Sequence, residues 1–188
     1  MRSEGRTITM GQRPLAALQR QEVNLCLAFS RLQRQRSIRV AFVLASRLGD
    51  GGAWVVLLIA LLVVQGSLAL PAVLHMGLTA LTGFAFYRLI KKQARRLRPC
   101  DQAPHLVPAT PALDHYSFPS GHTLHAVLFT SMAISYYPAL AIWLVPLTIM
   151  IAASRVILGL HYPSDVLAGA GMGLVIAQAS LAIAGAIT

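Results

Sequence analysis

Three long stretches without an acidic or basic residue constrain this chain more than any other feature. Ala53 to Tyr87, Tyr116 to Ser154 and Val166 to Thr188 hold no Asp, Glu, Lys or Arg. A helix needs about 20 apolar residues to cross a bilayer, and inside hydrocarbon every backbone polar group must find its partner within the protein. With 56% hydrophobic and 12% charged residues among 188, the chain is too apolar for an ordinary water-soluble domain. The expectation is an all-α, multi-span transmembrane helical bundle with about five spans, at 53–70, 72–90, 121–137, 139–159 and 164–186. Pro71 and Pro138 punctuate two tight hairpins. Gly169, Ala170 and Gly173 give the last span a small-residue face suited to close helix packing.

Residues 1–50 form a different kind of segment, leaving 51–188 as the membrane-integrated domain. Residues 1–13 are polar and expected to lack fixed structure. From Pro14 to about Gln35, apolar positions (Leu15, Leu18, Val23, Leu25, Leu27, Phe29, Leu32) alternate with Arg and Gln, which predicts an amphipathic helix lying on the membrane. Ile38 to Leu48 repeats the theme, and Gly49-Asp50-Gly51-Gly52 breaks it. The start carries no apolar core or cleavage site of a signal peptide. Cys26 and Cys100 fit no metal spacing and read as free thiols.

The net charge of +10 does not point to nucleic acid. Nine of the sixteen cations precede Gly51 and six lie between Arg88 and Arg98. Basic clusters beside spans meet anionic lipid headgroups, and the aromatic interleaving of a single-strand binder is absent. Membrane lipids are the expected partners.

Three polar clusters sit at the ends of apolar runs, where charge is expensive unless used. Lys91 to Pro99 reads K-K-Q-A-R-R-L-R-P; if the second span continues as a helix, Lys91, Arg95 and Arg98 share one face. Pro119-Ser120-Gly121-His122 opens the third span, where Ser120 can cap the helix and the first free N–H groups, with Gly121 permitting close approach, can cradle an anion. Ser154-Arg155, His161 and Asp165 lie between the fourth and fifth spans. Asp165 is either a favourable first-turn charge or the group that holds the His161 Nδ1–H and leaves Nε2 nucleophilic. Counting spans puts all three clusters on one membrane face. Together they offer cations, a hydroxyl, two imidazoles and a carboxylate, which is equipment for binding a phosphate and cleaving its ester.

The clusters resemble the motifs of the type 2 phosphatidic acid phosphatase superfamily. That pattern is Lys, six residues, Arg-Pro; then Pro-Ser-Gly-His; then Ser-Arg, five residues, His, three residues, Asp. The chain carries each in order: Lys91 with Arg98-Pro99, Pro119 to His122, and Ser154-Arg155 with His161 and Asp165. The resemblance implies that His161 attacks phosphorus, Asp165 orients it, and His122 protonates the leaving oxygen and then activates water. It assigns the phosphoryl oxygens to Lys91, Arg98, Ser120, the Gly121 N–H and Arg155. No cofactor or metal is expected, because Asp50, Asp101 and Asp114 are scattered.

The other polar residues receive plainer readings. His125 and the mid-span His75 are read as packing or interhelical residues. His105, Asp114, His115 and Tyr116 lie on the proline-rich loop from Cys100 to Phe118, where they can touch a headgroup. Trp54, Trp143, Tyr136 and Tyr137 read as interfacial belt residues. The expected activity is hydrolysis of phosphate or diphosphate monoesters of lipids: polyprenyl diphosphate, phosphatidic acid or phosphatidylglycerol phosphate. The rival readings are a phosphotransferase using the same phosphohistidine and a non-catalytic binder of anionic lipid. The Arg-rich flanks favour a cytoplasmic site. Bacterial members of the superfamily place it on the periplasmic face of the inner membrane, and that is the expectation adopted. No sequence signal sets the oligomeric state.

Overall fold

The computed structural model describes residues 13–103, 106–110 and 114–187, so most of the expectation for residues 1–13 and that for His105 lie outside it. Among the described residues the chain is helical, with no strand. α1 (Arg13–Ser30) and α2 (Arg36–Leu48) precede α3 (Gly52–Gln65) and α4 (Leu70–Ala94). One turn, α5 (Pro99–Gln102), leads into the long loop, and α6 (Gly121–Tyr136), α7 (Ala141–Ile157) and α8 (Pro163–Ile187) complete the bundle. The second hairpin break falls where expected, at Pro138–Leu140, whereas the first lies earlier, at Gly66–Ala69, and Pro71 sits in the first turn of α4.

Among the described residues, length and apolarity single out three segments able to cross a membrane: Gly52–Gln102, which contains α3 and α4, Pro138–Ile157 and Pro163–Ala186. α6, the expected third span, has only 16 residues. It is the axis of the bundle, burying Leu124, Leu128 and Met132, and packs against α4, α7 and α8. A helix surrounded by other helices does not need lipid along its whole length.

Small residues set the tightest contact. A Cβ on Gly169 would lie 2.5 Å from the Ser120 carbonyl oxygen, and one on Gly173 would lie 2.4 Å from that of Leu124. Only glycine lets the α8 backbone come that close to α6. Trp54 lies on Phe129 with ring centroids 5.2 Å apart and is 2% exposed. The expectation of an interfacial Trp54 is therefore corrected: a stacked partner across α3 and α6 outweighs the pull of the headgroup region. Trp143 is exposed, as are Val63, Leu68, Ile142, Leu167 and Val175, the apolar surface a bundle shows to lipid. Toward the end of the bundle away from α5, the His75 ring contacts Tyr136 Oη at 2.6 Å and Ser180 Oγ at 2.7 Å, and Thr79 joins the same serine. His75 is thus an interhelical tie.

The N-terminal helices are part of the bundle's base. α1 packs on the ends of α7 and α8, and α2 packs along α7. Cys26 is fully buried beside Ala103, Leu106 and Tyr162. Gln33 Nε2 donates to the Ile157 carbonyl at 2.5 Å. α1 still exposes Leu18, Leu25 and Phe29, so it meets the bundle with one face and its surroundings with another.

Candidate active site

The second span does not run on through its basic cluster. α4 stops at Ala94, and Arg95 turns left-handed at φ 42°. Arg98 precedes Pro99, which disfavours the helical conformation there, and is extended at ψ 157°. The expectation that Lys91, Arg95 and Arg98 share a helical face is corrected accordingly. Arg95 is exposed, whereas Lys91 and Arg98 turn inward and are 7% and 2% exposed.

Inside the bundle these two cations meet Asp114. Lys91 Nζ donates to Asp114 Oδ2 at 2.6 Å, Tyr87 Oη to the same oxygen at 2.7 Å, and Arg98 Nη2 to Oδ1 at 2.5 Å. Arg98 Nε also donates to the Asp114 carbonyl at 2.9 Å. Burial alone would raise the Asp114 carboxyl, but the hydrogen bonds from Lys91 and Tyr87 and the charges of Lys91 and Arg98 outweigh it and bring it down to about 2. The loop residue expected at a headgroup therefore sits on two of the expected phosphate ligands.

His161 follows a turn that needs Gly159, whose φ is +72°. The His161 ring is 1% exposed. Arg98 Nη1 lies 3.3 Å from its Nε2. A guanidinium has no acceptor, so Nε2 must receive, and the ring proton is assigned to Nδ1. Burial, followed by the charges of Arg155 and Arg98, pushes this imidazole well below its ordinary range, leaving it neutral. Nδ1 faces Asp165 Oδ2 at 3.7 Å and has no hydrogen-bond partner among the described residues. The expected Asp165–His161 pair is adjacent but not bonded. Asp165 instead accepts the Tyr162 N–H at 2.8 Å and Arg96 Nη1 at 2.8 Å.

The remaining expected residues divide. Arg155 is 3% exposed; one nitrogen donates to Ser46 of α2, while its Nε is buried without a partner among the described residues. His122 enters from the first turn of α6, and Gly121 lies against the hydroxyl end of the Tyr87 ring, where a Cβ would come within 2.8 Å of Cε2 and Cζ. Ser120 is fully buried, places Oγ 3.0 Å from Thr123 Oγ1, and gives its N–H to the Asp165 carbonyl at 3.0 Å. No side-chain bond of Ser120 caps α6, contrary to expectation. Its role here is to join α6 to α8. His125 Nδ1 donates to the Gly121 carbonyl at 2.9 Å, and the ring packs edge-on to Tyr87.

Lys91, Arg98, Gly121, His122, Arg155 and His161 line one cavity of about 900 Å³. Its polar end is the cluster just described. Its other wall is apolar, with Trp54, Val55 and Leu58 from α3, Leu81 and Phe84 from α4, and Phe129 from α6. Among the described residues no group of three or more His, Cys, Asp or Glu converges in a way that could hold a metal ion.

Sequence reasoning missed Glu22, Ser46, Asp50, Tyr87 and Arg96. Glu22, 6% exposed on α1, takes Arg96 Nη2 and the Ser164 N–H, the latter at 3.0 Å, and so extends the Arg96–Asp165 ion pair into a triad. Asp50 meets His122 Nε2 at 2.6 Å. A usable signal existed: the chain has only six acidic residues, and four of them (Glu22, Asp50, Asp114, Asp165) touch this cluster.

A bundle with such a cluster at one end defines an integral membrane protein, and comparison with known proteins gives its kinship. The chain belongs to the PAP2 superfamily, whose model matches residues 71–188. It is 38% identical over 120 residues to decaprenylphosphoryl-5-phosphoribose phosphatase of Mycobacterium tuberculosis, in both strains CDC 1551 / Oshkosh and ATCC 25618 / H37Rv. That match covers 60% of this chain and 64% of the relatives' length. The fold is that of a PAP2-type phosphatidylglycerolphosphate phosphatase from Bacillus subtilis (TM-score 0.74, 22% identity, 92% of this chain and 88% of that one). It is also that of LpxE from Aquifex aeolicus (TM-score 0.70, 24% identity, 82% and 92%).

Proposed function

We propose that this protein is a lipid phosphatase that cleaves phosphate from a membrane lipid through a phosphohistidine on His161. The observation that carries the reading is the state of the His161 ring. Its Nε2 is unprotonated and engaged only by Arg98 at 3.3 Å, in a cavity that also presents Lys91 and the Nε of buried Arg155, which has no partner among the described residues. A phosphoryl group there would replace Asp114 on Lys91 and Arg98 and satisfy Arg155.

In the first step Nε2 attacks phosphorus, the bond from phosphorus to the lipid oxygen breaks, and His122 gives that oxygen a proton. In the second step His122 takes a proton from water, the hydroxide attacks phosphorus, the P–N bond breaks, and inorganic phosphate leaves. The developing charge falls on Lys91, Arg98, Arg155 and the Gly121 N–H, groups already in place before reaction. Asp165 balances the imidazolium-like ring across 3.7 Å, a gap that can close in the reacting complex.

The apolar wall of α3 and α4 suits the lipid chain, and the relatives' name favours a phosphomonoester carried by a polyprenyl lipid over polyprenyl diphosphate. The test is phosphate release by the purified chain from a panel of lipid phosphates, with His161→Ala alongside. Loss of a covalent nucleophile should cost several orders of magnitude, on the order of 10⁴ or more. Substantial turnover by a clean His161→Ala preparation would overturn the nucleophile assignment.

A further inference from the structure

We infer that Asp50, in the loop between α2 and α3, is a positioning residue for His122: it fixes which ring nitrogen faces the leaving oxygen and stabilises the ring when it carries two protons. This rests on the proposed function and adds a second His–carboxylate pair to it.

The geometry begins with the loop. Gly49-Asp50-Gly51 follows α2, and the Asp50 N–H closes a turn on the Arg47 carbonyl at 3.1 Å. A Cβ on Gly49 would lie 2.9 Å from Ile151 Cγ2 and 3.0 Å from His122 Cδ2. Glycine therefore lets the loop backbone lie against the ring edge. From there Asp50 Oδ1 reaches His122 Nε2 at 2.6 Å. A carboxylate accepts only, so Nε2 carries its proton. Nδ1 is left to exchange protons with substrate and water.

Chemistry then assigns the carboxylate its work. His122 must hold a proton on Nδ1 before the ester bond breaks, which makes the ring cationic. It must do so near Arg155 and Arg98, two buried cations lining the same cavity. Like charges disfavour that state. Asp50 supplies the opposing charge against the ring, while Asp165 is turned to Arg96 and His161. The Asp50 side chain is 44% exposed, so water moderates the effect. The expected loss on removing its charge is about 10–100-fold, part of the 10²–10⁴ that general acid–base catalysis supplies.

The test compares full-length wild type, Asp50→Asn, Asp50→Glu and Gly49→Ala in detergent micelles, with His122→Ala and His161→Ala as controls. One substrate is phosphatidic acid, whose alkoxide leaving group needs a proton. The other is p-nitrophenyl phosphate, whose leaving group does not. Asp50→Asn should lower kcat on phosphatidic acid about 10–100-fold, leaving KM within about twofold. On the aryl ester it should keep a fast stoichiometric burst of nitrophenolate and slow the following turnover, because His122 must still activate water. Asp50→Glu should recover part of kcat, and Gly49→Ala should behave like Asp50→Asn. Wild-type kinetics for Asp50→Asn would overturn the inference, as would burst, turnover and melting temperature falling together. If His161→Ala remains active, the phosphohistidine reading itself fails. If both histidine variants are dead and Asp50→Asn is normal, only the role of Asp50 fails.

Discussion

Under the proposed mechanism, phosphate and the Asp114 carboxylate compete for the same two cations, and Asp114→Asn measures that competition. The Asp114 side chain is 35% exposed and holds Lys91, Tyr87 and Arg98 with three hydrogen bonds. A buried hydrogen bond to a charged group is worth about 1.5–3 kcal/mol, but exposed ion pairs are worth only about 0–1 kcal/mol. For a one-third exposed carboxylate, a net closure of about 1–2 kcal/mol follows, a factor of about 5–30 in population. A ligand that needs the open form has its apparent affinity reduced by the open fraction. Asp114→Asn should thus bind orthovanadate and inorganic phosphate about 5–30-fold more tightly, read by inhibition constants, with KM for lipid phosphate falling in parallel and kcat changing less. Added phosphate should also raise the variant's melting temperature more than the wild type's, since ligand binding stabilises by mass action. The pH dependence has a definite sign. A carboxyl held at about 2 instead of 3.8 contributes stability above 3.8 and loses it as pH falls toward 2. The melting difference between wild type and variant should stay flat from pH 8 to 5 and shrink below about 4. If Asp114→Asn weakens or leaves unchanged the binding of both anions, Asp114 organises the cations instead of competing for them, and the reasoning fails.

Glu22→Gln should lower the melting temperature by about 2–8 °C, from a cost of about 1–2 kcal/mol once the about 3–5 kcal/mol of a broken buried pair is discounted. The discount reflects Arg96, which keeps Asp165 and is 24% exposed; no change in melting would mean that α1 docks by apolar contact alone. Activity should survive exhaustive chelation, because the charges facing the phosphate are Lys91, Arg98 and Arg155; loss on chelation with rescue by a divalent ion would refute this. The site opens beside the start of α8, and 25 residues of helix carry the chain about 37 Å away. With a periplasmic site, a reporter active only in the cytoplasm should therefore be active when fused after Thr188, and silence there, with a periplasm-only reporter active, would place the site in the cytoplasm.

The parts of this molecule that were legible in the sequence are those governed by local rules. Charge-free runs gave the helices α3, α4, α6, α7 and α8, because hydrocarbon leaves a chain few alternatives. Fixed spacings named Lys91, Arg98, His122, Arg155 and His161, and the structure brings these to one cavity. Two of the local expectations that failed lost to neighbouring or longer-range constraints. Pro99 and the loop's hold on the Arg96 carbonyl, which accepts the Ser117 N–H at 2.7 Å, ended α4 before Arg95. Stacking on Phe129 drew Trp54 inward.

What spacing could not reveal is the set of counter-charges. Asp50 lies 72 residues from His122, and Glu22 lies 142 residues from Ser164; no periodicity links such pairs. Charge economy does link them. A bundle that buries Lys91, Arg98 and Arg155 around a neutral histidine must hold them apart or neutralise them, and a chain with six acids has few residues for the task. Asp114 neutralises the two cations that phosphate would occupy. Glu22 and Asp165 share Arg96, and Asp50 takes His122. Arg155 alone among these buried cations keeps a nitrogen without a partner among the described residues, and it is the group with most to gain from an arriving anion. The loop aspartate and the vacant arginine nitrogen therefore mark the same place by opposite means, one by occupying cationic ligands and the other by leaving a donor open.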